Sequence, residues 1–119
     1  MNQTSWTTAL FASIDAKDTP RFLTFLSDDA EFRFANAPPA VGKAAIGGAV
    51  DNFFGAIRAS RHDIARTWSH PDHFICQGTV TYTRHDGSEV TLPFANILGT
   101  RNGLINDYRI YIDATPLFA

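Results

Sequence analysis

Few positions in this sequence combine a reactive residue type with a spacing that could put it to use. Asp113 is the first. It closes the run Asn106-Asp107-Tyr108-Arg109-Ile110-Tyr111-Ile112-Asp113, which follows two hairpin signals. A carboxylate at a strand end facing an aromatic pocket loses water, and its pKa rises toward the range useful for proton transfer. The competing role is structural, as a cap on the turn at Ala114-Thr115-Pro116 or a partner for an arginine. His70-Pro71-Asp72-His73 sets two histidines three apart, but it reads as a turn between strands, and a metal site needs further convergent ligands. No metal and no cofactor is expected. Cys76 in mid-strand reads as a small buried apolar residue rather than a nucleophile. No dinucleotide fingerprint, phosphate loop or nucleophile elbow occurs.

The elements that must position these groups follow from period. Trp6, Leu10 and Ile14 recur every four residues, predicting a helix over Thr4 to Ala16 with Thr4 or Ser5 as its cap. Asp18-Thr19-Pro20 starts a second helix, with Thr19 as cap and Pro20 in the first turn. Phe22, Phe25 and Leu26 form its buried face, and Ser27-Asp28-Asp29 ends it. Ala30 to Phe34 alternates as a short strand, which Pro38-Pro39 forces the chain to leave. Ile46, Val50, Phe53 and Ile57 share one face of a third helix from Lys43 to about Ala59. Gly47 and Gly48 inside it point to close packing against another backbone.

Four strands complete the chain: His62 to Trp68, His73 to Arg84, Glu89 to Thr100 and Leu104 to Asp113. Asp86-Gly87 and Asn102-Gly103 are tight-hairpin signals between the later ones. The order is α-α-β-α-β-β-β-β in one domain, residues 1–119. A curved antiparallel sheet wrapped over the N-terminal helices as a cone, with an internal pocket, satisfies this pattern. Val90, Leu92 and Phe94 take one face of their strand and Pro93, Ala95 and Ile97 the other. The second apolar face predicts a homodimer through the sheet. Alternation also sets Asp113 beside Tyr111 and Arg109, opposite Tyr108, Ile110 and Ile112. Unless the strand bulges, Asp113 then faces away from the helices.

The 119 residues carry a net charge of −2, which excludes the electrostatic footprint of a nucleic-acid binder. Arg58, Arg61 and Arg66 read as a solvated helix end. With 45% hydrophobic residues, ten of them Phe, the chain has apolar material for a core and a pocket. One cysteine cannot form an internal disulfide, no signal peptide is read in Met1-Asn2-Gln3-Thr4-Ser5, and no stretch suffices to span a membrane. A cytoplasmic protein, without membrane or nucleic-acid partners, is expected.

The arrangement resembles the nuclear transport factor 2-like superfamily, in particular its SnoaL-like branch of polyketide cyclases and relatives. The resemblance lies in the helical N-terminus, in Pro38-Pro39-Ala40-Val41-Gly42-Lys43-Ala44-Ala45-Ile46, in Val90-Thr91-Leu92-Pro93-Phe94-Ala95 before Asn102-Gly103-Leu104-Ile105, and in Tyr111-Ile112-Asp113. It covers essentially the whole chain and implies the cystatin-like α+β barrel. It also implies that the acid/base aspartate of the cyclases and limonene-epoxide hydrolases falls on Asp113. The hydrolases' Arg-x-Asp pair has no counterpart in Gly78-Thr79-Val80-Thr81-Tyr82. The base aspartate of the ketosteroid isomerases maps near Phe34. Both departures weigh against those activities.

The expected pocket lining is Phe34, Phe53 and Ile57 from the first strand and third helix, Val80, Tyr82, Phe94 and Asn96 from the sheet, with His62 and Trp68 nearby. Asn96 is a polar amide among Phe94, Ile97 and Leu98, so it must find a backbone or ligand partner. The leading expectation is a cyclase- or isomerase-type enzyme that holds a hydrophobic small molecule and moves a proton with Asp113. The alternative is a non-catalytic small-molecule-binding or dimerisation module, favoured by the lack of a second charged group beside Asp113. A protein-transport adaptor ranks third, for want of a distinctive exposed patch.

Overall fold

The computed structural model describes residues 3–118. Helix α1 (Gln3–Asp15) starts early enough to take in Thr4 and Ser5, so the expected cap falls inside the helix; those two side chains lie outside the described residues. Helix α2 (Thr19–Leu23) is capped by Asp18, one residue before the expected Thr19. The Asp18 carboxylate accepts from Arg21 N, while the Thr19 hydroxyl turns to Asp51 of the third helix. An aspartate outcompetes the threonine because its acceptor reaches the same free N–H with a full charge.

Strand β1 (Leu26–Phe34) begins four residues before the expected Ala30, so Ser27-Asp28-Asp29 belongs to a strand and not to a helix end. A register shift between Leu26 and Glu31 disrupts the alternation there, which hides the strand from a period-2 reading. After Pro38-Pro39 the chain forms β2 (Ala40–Val41), an edge piece too short to read from sequence. Helix α3 (Lys43–Ala56) buries Ile46, Val50 and Phe54. Gly47 lets α3 approach Leu23: a Cβ there would lie 3.3 Å from Leu23 Cδ1, a side-chain contact where a backbone one was expected. Gly48 faces open space.

The rest is β3 (Ala59–Ser69), β4 (His73–Thr83), β5 (Glu89–Arg101), β6 (Leu104–Ile112) and a last turn of helix, α4 (Thr115–Phe118). The six strands run β2-β1-β6-β5-β4-β3 in one open, curved sheet. At the β5–β6 turn Asn102 and Gly103 have φ of 55° and 78°, the paired left-handed conformation of a tight hairpin. The sheet is mixed rather than antiparallel throughout, because β1 pairs β6 in parallel, Phe32 opposite Tyr108 and Phe34 opposite Ile110. The meander leaves β6 with an unpaired edge, and β1, already carrying Phe32 and Phe34, satisfies it.

Gly78 is fixed by a close approach. Its Cβ would lie 2.0 Å from Asp63 O, next to the register shift of β3 between Ile64 and Arg66. The helices cover the concave face, where Leu10, Phe22, Leu26, Ile46, Phe74, Leu98, Ile105 and Tyr108 form the core. Among the described residues no helix is long and apolar enough to cross a membrane.

Candidate functional site

A cavity of about 220 Å³ opens between the helices and the concave face of the sheet. The alternation of β4 and β5 turns Val80, Tyr82, Phe94 and Asn96 into it, and that of β6 adds Tyr108, Ile110 and Ile112. Phe34 of β1 and Phe53 of α3 meet at 5.0 Å between ring centroids on its wall, and Phe53 meets Tyr82 at 5.5 Å. His62 enters from β3, with its ring against Phe11 and Phe94. The structure therefore gathers Phe34, Phe53, His62, Val80, Tyr82, Phe94 and Asn96 around one cavity.

Three expected residues stand elsewhere. Ile57 is fully buried but does not line the cavity. Helix α3 ends at Ala56, and Ile57 turns extended, with its carbonyl accepting from Lys17 Nζ at 2.6 Å. Trp68 is 47% exposed. The register shift after Ile64 reverses the side-chain parity of β3, so His62 opposes Val80 while Trp68 opposes Ile75 on the outward side. Asp113 lies beyond the end of β6, exposed and away from the cavity, and its carboxylate accepts from Thr115 N at 3.0 Å. Hydrogen bonds from the Thr115 hydroxyl and N–H hold its pKa below the usual value, the reverse of the expected rise. Its parity follows Arg109 and Tyr111, and its role is the turn cap.

Behind His62, which lines the cavity, stands a carboxylate that strand and pocket patterns passed over. Asp15 closes α1, at the helix end where the dipole disfavours a carboxylate. It is held there by β3. Its Oδ1 sits 2.6 Å from His62 Nδ1 and accepts from Ser60 Oγ at 2.9 Å, while Oδ2 accepts from His62 N at 3.0 Å. Burial works to raise the Asp15 pKa, but the bonds and charge of His62 and the Ser60 hydroxyl outweigh it and leave it lowered. An ionised Asp15 fixes the proton on His62 Nδ1, which leaves Nε2 as the basic nitrogen. The Asp15 and His62 side chains retain only 26% and 11% exposure. His62 also borders an outer groove that Asp15 lines with Thr7, Ile64 and Arg66. The signal available in sequence was the acidic residue itself, misplaced for a helix C-terminus.

Burial pushes the Tyr82 and Tyr108 hydroxyls above the ordinary tyrosine value, so both stay neutral. His70 and His73 sit at the β3–β4 turn, with His73 Nδ1 3.0 Å from Asp72 Oδ1 on the exposed surface. Among the described residues no three His, Cys, Asp or Glu groups converge to hold a metal ion.

An α+β cone with helices over an open, curved mixed sheet is the nuclear transport factor 2-like fold, and known structures share it. A nuclear transport factor 2-like protein of unknown function from Burkholderia pseudomallei superposes with a TM-score of 0.87 at 16% identity, over 99% of this chain and 96% of that one. A candidate polyketide cyclase from Xanthomonas campestris gives 0.85 at 18% identity, over 96% and 92%. TerC, co-crystallised with polyporic acid, gives 0.82 at 18% identity, over 94% and 92%. At such identities the likeness shows the fold alone. The profile of the SnoaL-like domain matches residues 7–108, and the chain belongs to that family. A search of curated proteins finds no match.

Proposed function

We propose that this chain is a small-molecule enzyme of the cyclase or isomerase type. It holds an apolar ligand in the cavity and moves a proton with His62, oriented by Asp15. The observation that carries the reading is the 2.6 Å contact of Asp15 Oδ1 with Nδ1 of His62, a residue of the cavity wall. A carboxylate on one ring nitrogen sets the tautomer and stabilises the imidazolium formed when Nε2 takes a proton. Tyr82 lines the same cavity as a neutral hydroxyl, a donor for oxygen that gains charge as the proton leaves. The polyketide cyclase-like and polyporic acid-bearing neighbours support a small-molecule guest in this fold. The role first expected of Asp113 passes to His62.

The test is hydrogen exchange at the activated carbon of 2-tetralone in D2O, followed by NMR. We expect exchange above the buffer rate. His62→Gln lowers it by about a hundredfold or more, the usual scale of general base catalysis, whereas Asp113→Asn leaves it unchanged. Exchange no faster than in buffer favours the alternative, a non-catalytic binding module. A homodimer through the outward face of the sheet and a cytoplasmic location complete the proposal; they are supported by Pro93, Ala95 and Ile97 on that face and by the single buried thiol.

A further inference from the structure

Two buried polar atoms, on residues that line the cavity, have nothing to bond. Asn96 Oδ1 and Tyr108 Oη are both buried and without a hydrogen-bond partner, on side chains 2% and 1% exposed. An orphaned buried polar group costs stability, so a native fold that keeps two of them on residues of one cavity wall calls for an explanation. They are neighbours by register. Asn96 pairs with Ile110 and Leu98 with Tyr108, which makes Asn96 and Tyr108 diagonal partners on the same face of β5 and β6. The Tyr108 ring is fixed by Phe22 and Phe32, at 5.5 and 5.4 Å.

We infer that Asn96 and Tyr108 form a recognition subsite for one hydroxyl group, carried on the apolar ring of a neutral phenol or enol. The inference rests on the reading that the cavity takes a small molecule, though not on proton transfer by His62. The chemistry of the two atoms selects the group. An amide oxygen only accepts, whereas a neutral phenol both donates and accepts. A ligand hydroxyl donates to Asn96 Oδ1 while accepting from Tyr108, satisfying both at once. A ketone or aldehyde oxygen pairs with Tyr108 and leaves Asn96 Oδ1 without a donor. A carboxylate does the same and brings a charge into a cavity that no described Lys or Arg lines. Phe22, Phe32 and Ile110 around the pair suit the ring that bears the hydroxyl.

Calorimetric or NMR titration of the full chain with p-cresol, p-xylene and p-tolualdehyde tests this, because the three differ only at the group offered to the subsite. The wild type should bind p-cresol about tenfold more tightly than either of the others, the scale of one net hydrogen bond. Asn96→Leu and Tyr108→Phe, near-isosteric changes that remove an orphan atom, should each bring the three within about threefold, with melting temperatures no lower than wild type. His62→Gln should keep the cresol preference. The subsite is overturned by equal affinities in the wild type, by binding of none of the probes, or by a preference for the aldehyde. It is overturned equally by a cresol preference that survives the Asn96→Leu/Tyr108→Phe double variant or vanishes in His62→Gln. A wild type that exchanges 2-tetralone no faster than buffer yet prefers p-cresol removes the catalytic reading and leaves the subsite standing.

Discussion

Protonating Asp15 would weaken hydrogen bonds to three groups at once, the Ser60 hydroxyl and the N–H and ring of His62. Its pKa is lowered from the ordinary 3.8 in the folded chain. The stability it contributes is therefore present above the unfolded value and lost as pH falls through the folded one. Urea unfolding of the wild type should show a declining stability below about pH 4, and Asp15→Asn should be less stable at pH 7 yet show a shallower decline. Cys76 answers a different probe. Burial pushes its thiol up to about 11, so a disulfide-exchange reagent at pH 8 should leave it unmodified until denaturant is added. Sequence placed His62, Tyr82 and Asn96 on the cavity because regular alternation decides their side. It missed Asp15, whose partners lie on a strand 45 or more residues away, a distance that no local pattern spans.

Where glycine sits in an element decides whether a methyl group helps or harms. Gly78 has no room, since its Cβ would meet Asp63 O at 2.0 Å, whereas Gly48 lies exposed within α3 with nothing near. Gly78→Ala should cost about 3 kcal/mol or prevent folding. Gly48→Ala should stabilise by about 0.5–1 kcal/mol through helix propensity. Denaturant midpoints measured side by side check both signs. Hairpins and strand faces were legible because Asp86-Gly87 and Asn102-Gly103 fix the turns and two-residue alternation fixes the sides. The β3 register shift was not, and it alone sent Trp68 outward while His62 stayed in. The strand reading of Asp113 failed for a related reason: β6 stops at Ile112, and the last carboxylate serves the start of α4.

Across the whole molecule the sheet has a covered face and a bare one. The proposed homodimer would cover the second, and sedimentation of the wild type should give twice the chain mass. Ile97→Lys, at a half-buried outward position, should return the mass to one chain while the melting temperature shifts little; a wild-type monomer would remove the proposal. Element order was legible at this scale, but the pairing of β1 with β6 was not, because periodicity names strands without naming their neighbours. That pairing has a consequence for how the protein comes into being. Beyond its two-residue pairing with β2, the strand at residues 26–34 has no neighbour but the strand at residues 104–112, so during synthesis residue 112 must leave the ribosome before that ribbon is fully paired. The hairpins downstream can close early on their own; the wall that carries Phe32 and Phe34 is the last to be set, and the chamber exists only once the final strand has arrived.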